Sequence, residues 1–249
     1  MPGRNCADIV FCIDASGSME PCLKAVRENI GKLLEGLNSD GQTTWDVRFD
    51  FLTFQETANS SHSYRSVNHY CVPLVTAIYK EHDDSKFFTR DLEQFKSSLA
   101  DVTPRGEEMH LPALDIAMDF PWRSSNDAHR VVVLLSDEPV ETGIDVGEQV
   151  EKIDKLIEKV MAKRIKLFII APESDAFYRL ASADRCEYSD LEAQQDGLQS
   201  VDFSKMLSTI GKSVSVSQSY EGGKTEPMPL FNQNTWSRVT DGDYRTDHT

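Results

Sequence analysis

Three apolar runs, at residues 8–13, 130–135 and 165–170, constrain the fold of this chain most. None alternates with polar residues, and each stops at punctuation. Asp14-Ala15-Ser16-Gly17 follows the first, Ser136-Asp137-Glu138-Pro139 the second, and Pro172 closes the third. Such runs read as strands buried on both faces, as in parallel sheets. The segments between them carry apolar residues at helical spacing. Leu23, Val26, Ile30, Leu33, Leu34 and Leu37 do so over 21–37, with Pro21 near the first turn. The same period predicts helices over 89–99, 109–119, 146–162, 175–183 and 203–217. Residues 45–54 and 70–79 read as further strands, 186–188 as a short one, and 55–68 as a polar loop. Strand and helix in alternation imply a mostly parallel sheet covered on both faces. Right-handed crossovers then set the C-terminal ends of the strands along one edge, where ligands bind in such sheets.

Chemistry collects at that edge. Asp14, Ser16 and Ser18 follow the first strand two residues apart, so a turning loop can aim three oxygens to one side. Hard cations such as Mg²⁺ take oxygen ligands in near-octahedral geometry and keep positions for water or a further ligand. A simpler use of the same residues is capping, with Ser16 or Ser18 closing the start of the next helix. Asp137 follows the strand at 130–135. A topology that makes this strand the neighbour of the first sets Asp137 beside Asp14.

Asp14-Ala15-Ser16-Gly17-Ser18-Met19 after a first strand, with a later apolar strand ending in Asp137, resembles the von Willebrand factor type A domain and its metal-ion-dependent adhesion site. The resemblance covers residues 8 to about 215. It implies a Rossmann-like three-layer α/β/α sandwich, its central sheet mostly parallel with one antiparallel edge strand. It also implies a divalent cation, usually Mg²⁺ (or Mn²⁺ or Ca²⁺), that leaves one position for an acidic side chain of a partner protein. Carried over position by position, Asp14, Ser16 and Ser18 are the first-loop ligands and Asp137 the later acidic ligand. The family's remaining ligand is a Thr. Aligned on Ala113-Leu114, its place falls to Glu108, which either binds the cation, directly or through water, or leaves the site incomplete. Glu138 stands where the family commonly has Gly, and with Glu20, Glu107 and Glu141 it is expected to form an acidic rim. His110 reads as a solvent-facing or helix-start residue rather than a ligand. The polar stretch near 56–70 reads as an insertion beside the sheet edge.

Composition narrows the partners. The formal net charge is −15, and no basic stripe of the kind that reads duplexes is visible, so no nucleic acid is expected. No stretch approaches the roughly 20 apolar residues of a membrane span, and no signal peptide is visible. The five cysteines, Cys6, Cys12, Cys22, Cys71 and Cys186, are odd in number and contain no Cys-x-x-Cys pair, which points to reduced thiols in a cytoplasmic setting. Residues 1–217 are expected to form the domain and 218–249 a polar, loosely ordered tail. The function expected is non-catalytic: an adaptor that binds a partner carboxylate through the cation, within a multi-component bacterial stress or defence system. Two alternatives stand beside it. One is a metal-assisted phosphatase or hydrolase using Ser16 or Asp14, against which His62, His69, His82, His110, His129 and His248 are scattered. The other is a metal-free structural subunit whose site is degenerate at Glu108.

Overall fold

The strand β1 (Cys6–Asp14) is buried from Ala7 to its end. It lacks alternation because both of its faces are covered. Ala7, Ile9, Phe11 and Ile13 belong to one apolar cluster, and Val10 and Cys12 to the other. In this computed structural model, the described residues are 5–39, 41, 44–55, 63–65, 67, 70–71, 87–106, 109–143, 145–191, 198, 201–217 and 236–237. Around β1 lie β2 (Asp46–Gln55), β3 (Ser63–Arg65), β4 (Tyr70–Cys71), β5 (His129–Leu135), β6 (Ile165–Ala171), β7 (Cys186–Asp190) and β8 (Trp236–Ser237). Their order across the sheet is β4-β3-β2-β1-β5-β6-β7-β8. The five strands β2-β1-β5-β6-β7 are parallel throughout. Antiparallel pairing occurs at both edges, through β3 and β4 at one and β8 at the other.

Two helical layers cover this sheet. On one face pack α1 (Glu20–Leu37), α2 (Leu92–Ala100) and α7 (Phe203–Ser217). On the other pack α3 (His110–Met118), α5 (Ile153–Ala162) and α6 (Asp175–Leu180), with the short α4 (Val146–Val150) beside them. The expected three-layer α/β fold is therefore present. Helices α1 and α7 meet backbone to backbone. A Cβ on Gly36 of α1 would lie 2.1 Å from the Ser208 carbonyl oxygen, and one on Gly211 of α7 would lie 2.3 Å from that of Leu33. Only glycine fits at either crossing point.

Two local expectations need correcting. The polar stretch read as a loop over 55–68 contains β3, whose Tyr64 pairs with Phe54. The single helix over 146–162 is two, parted at Glu151 and Lys152. Just before the break, near the end of α4, the buried Gln149 accepts the Leu111 N–H of α3, which ties α4 to a neighbouring helix. The strand expected over 70–79 is described at Tyr70–Cys71 alone. The His82-Asp83-Asp84 turn and the tail residues 218–235 and 238–249 lie outside the described residues.

Buried charge anchors the N-terminal edge. Asp8 is fully buried on β1 and accepts from Arg48 Nε (2.8 Å) and Nη2 (2.7 Å), from Arg123 Nε (2.7 Å) and from the Arg123 N–H (2.8 Å). Arg123 reaches on to Asp46 (2.7 Å), which Arg90 also grips with two hydrogen bonds. Burial works to raise the Asp8 pKa, but the hydrogen bonds from both arginines outweigh it and hold it below the ordinary carboxylate value. Further along the sheet, Asp50 is buried on β2 and accepts N–H donors from Phe51, Val67 and Phe88, joining three segments. Burial pushes its pKa up to about 7 against the opposing pull of those donors.

Candidate metal centre

β1 and β5 are parallel neighbours, with Ile13 opposite Leu135. The chain leaves both strands side by side, so Asp14 and the Ser136-Asp137 pair emerge at one point of the C-terminal edge. Asp14 is fully buried. Its Oδ1 accepts the Ser16 N–H at 2.7 Å, an Asx turn that folds the loop back on itself. Its Oδ2 accepts from Ser136 Oγ at 2.9 Å. The loop is pinned from outside as well, since Ala15 N–H donates to Phe54 O (2.9 Å) and Arg105 N–H donates to Ala15 O (2.7 Å).

The simpler capping use of the serines does not occur. A short 3₁₀ turn, Gly17–Met19, separates the loop from α1, and neither its N-cap Ser16 nor the α1 N-cap Met19 makes a side-chain cap hydrogen bond. Instead the hydroxyls of Ser16 and Ser18 meet each other at 3.0 Å. Ser16 is buried and Ser18 exposed, so the pair spans from the interior to solvent.

Asp137 Oδ1 is buried and has no hydrogen-bond partner in the structure. A carboxylate oxygen removed from water without a partner is costly, and a cation supplies the missing interaction. Cys22, in the first turn of α1, feels both carboxylates. Burial first, then the negative fields of Asp137 and Asp14, push its thiol well above the ordinary range. No group of three or more His, Cys, Asp or Glu side chains placed to hold a metal ion occurs among the described residues. The donors gathered here are two carboxylates and two hydroxyls. Such an all-oxygen set, with one buried oxygen unpartnered, fits a hard divalent cation.

Two members of the expected acidic rim are engaged locally. Glu141 Oε1 accepts from Ser174 Oγ and from the Ala176 N–H, both at 3.1 Å, and so closes the start of α6. Glu138 Oε2 accepts from Thr142 Oγ1 at 2.9 Å. Glu107 and Glu108 lie outside the described residues, so the fifth expected ligand does too.

His110 begins α3, as its helix-start reading has it, but it faces inward and is fully buried. Its ring meets Phe54 and Phe177 edge-on, with centroids 5.3 and 5.6 Å away. Its Nε2 lies 2.8 Å from Ser136 Oγ. Sequence spacing hid this contact, because the two residues are 26 positions apart and only the fold joins them. An Asp, a Ser and a His are therefore linked, yet the order is wrong for nucleophilic catalysis. The serine sits in the middle, fully buried. Burial, partly offset by a backbone hydrogen bond involving Glu138, lowers the His110 pKa to about 3, and Nδ1 has no partner to orient it.

A family model of the von Willebrand factor type A domain matches residues 8–202, and the chain belongs to that family. Among solved structures it is similar to a von Willebrand factor type A protein from Catenulispora acidiphila, at 14% sequence identity and a TM-score of 0.52. That match covers 84% of this chain and 43% of the other, so this chain spans less than half of its length. No curated protein matches. Among the described residues no helix is long and apolar enough to cross a membrane.

Proposed function

We propose that the chain is a metal-dependent protein-interaction module. Asp14, Ser16, Ser18 and Asp137 would hold a divalent cation of the Mg²⁺ type, and a carboxylate of a partner protein would complete its coordination. The observation that carries this reading is the buried, unpartnered Asp137 Oδ1, delivered by the strand adjacent to that of Asp14. The cation supplies the electrostatic grip on the partner, and the protein loops supply its position. Catalysis is not part of this reading, since burial lowers the His110 pKa to about 3 and leaves it too weak a base for Ser136. By analogy of fold alone, the role is that of an adaptor in a multi-component bacterial stress or defence system. A cytoplasmic setting belongs to the reading too, supported by the free thiols of Cys6, Cys12, Cys22 and Cys186.

Calorimetric titration of the full chain with Mg²⁺ and Mn²⁺ tests it, together with partner capture in the presence and absence of chelator. Saturable binding that Asp14→Ala abolishes is expected. Capture that is indifferent to chelator and to that substitution would overturn the reading.

A further inference from the structure

Ser136 Oγ makes four close contacts with a single hydrogen. It stands 2.9 Å from Asp14 Oδ2, 3.0 Å from Glu138 O, 3.1 Å from the Glu138 N–H and 2.8 Å from His110 Nε2. A hydroxyl donates once and accepts twice. Asp14 Oδ2 and Glu138 O are pure acceptors here, so the hydrogen points to one of them. The other two contacts must then be donors, which makes His110 the Nε2–H tautomer. The bare Nδ1 is left in the apolar surroundings of Phe54 and Phe177, where it has no partner. His110 thus cannot serve Asp14 itself; it holds the hydroxyl that does.

We propose that Ser136 and His110 are positioning residues for the cation site. His110 fixes Ser136 Oγ, and Ser136 fixes the Asp14 carboxylate through Oδ2. The hydroxyl hydrogen has a second acceptor, Glu138 O, to which it would turn if a cation drew on the Asp14 carboxylate. The chain also joins the three segments that deliver the site, namely the ends of β1 and β5 and the start of α3. This inference rests on the metal reading above and names residues outside its ligand set.

The test is calorimetric titration of the full chain with Mn²⁺, with melting in chelator recorded for each variant. Partners behind metal ligands typically control affinity by 10–100-fold. Ser136→Ala is expected to weaken Mn²⁺ binding by about that factor, and His110→Leu by about 10-fold at the low end of the range. His110→Gln keeps an N–H donor at the same reach and is expected to restore most of the affinity. Long-range ¹H–¹⁵N spectra at neutral pH are expected to show the Nε2–H tautomer of His110. Should His110→Leu fail to fold, the spectrum and the Ser136→Ala titration decide. The Nδ1–H tautomer, or wild-type Mn²⁺ affinity in a folded Ser136→Ala variant, overturns the proposal while leaving the metal reading intact. A wild-type chain that binds no Mn²⁺ or Mg²⁺ overturns both.

Discussion

The two ends of β1 each bury an aspartate and treat it in opposite ways. Asp8, near the start, accepts four hydrogen bonds from Arg48 and Arg123, three of them from guanidinium nitrogens. Both hydrogen bonds described to Asp14, at the other end, come from neutral donors, the Ser16 N–H and the Ser136 hydroxyl. Asp8 and its arginines therefore carry their balance with them, and the unit is a structural clamp. The donors described at Asp14 bring no formal charge to it. Burial and residue type are the same; under the metal reading proposed above, the charge of the described donors separates a clamp from a ligand site.

The harshest way to break this comparison is Asp8→Ala, which leaves Arg48 and Arg123 without their shared anion. Removing one partner of a buried pair is expected to cost about 3–5 kcal/mol of stability, read from urea unfolding. A cost below about 1 kcal/mol would show that the clamp carries no more than a surface ion pair does. Next in size is the response to cation. Mg²⁺ at about 100 times its Kd is expected to add about 2.7 kcal/mol to the wild-type protein and nothing to Asp14→Asn, measured by unfolding with and without chelator. In chelator, Asp14→Asn itself is expected to fall within about 1 kcal/mol of wild type. The amide oxygen still accepts the Ser16 N–H, and the Ser136 hydroxyl has Glu138 O as its other acceptor. A loss equal to that of Asp8→Ala would erase the contrast.

The smallest expected effects are in pH dependence. The folded pKa of Asp8 lies below its unfolded value, so its contribution is present above about pH 4 and fades as pH falls through the folded pKa. Asp8→Asn should accordingly flatten the acid limb of a stability–pH curve. Asp50 works the other way. Its folded pKa of about 7 exceeds the unfolded value, so its contribution is full below about pH 4 and is lost as pH rises through 7. Asp50→Asn should remove that fall, at the cost of one acceptor for its backbone donors. A curve unchanged in shape over pH 4–7 would argue against a buried titrating group at that position.

The parallel core was legible because β1, β5 and β6 are covered on both faces, which leaves uninterrupted apolar runs in the sequence. The loop residues Asp14, Ser16 and Ser18 were legible for a related reason, since local spacing and a strand end suffice to place them. Long-range partners leave no such trace. Arg123 lies 115 residues from Asp8, and His110 lies 26 from Ser136; neither reads as special until the sheet brings them together. The inward His110 was also masked by its type, which at a helix start is as compatible with solvent as with the interior. The division between α4 and α5 was hidden because the apolar period runs through it from Val150 to Ile153, and the contact that holds α4 to α3, Leu111 N–H to Gln149, is long-range.

The 115-residue reach between Asp8 and Arg123 has a consequence for biosynthesis. At about 5–20 residues per second, a ribosome makes Asp8 on the order of ten seconds before its arginine partner. The strand destined for the middle of the sheet is thus translated first, and its neighbour β5 follows only after Arg123. Until then an apolar stretch of nascent chain waits with the side that β5 will cover still open.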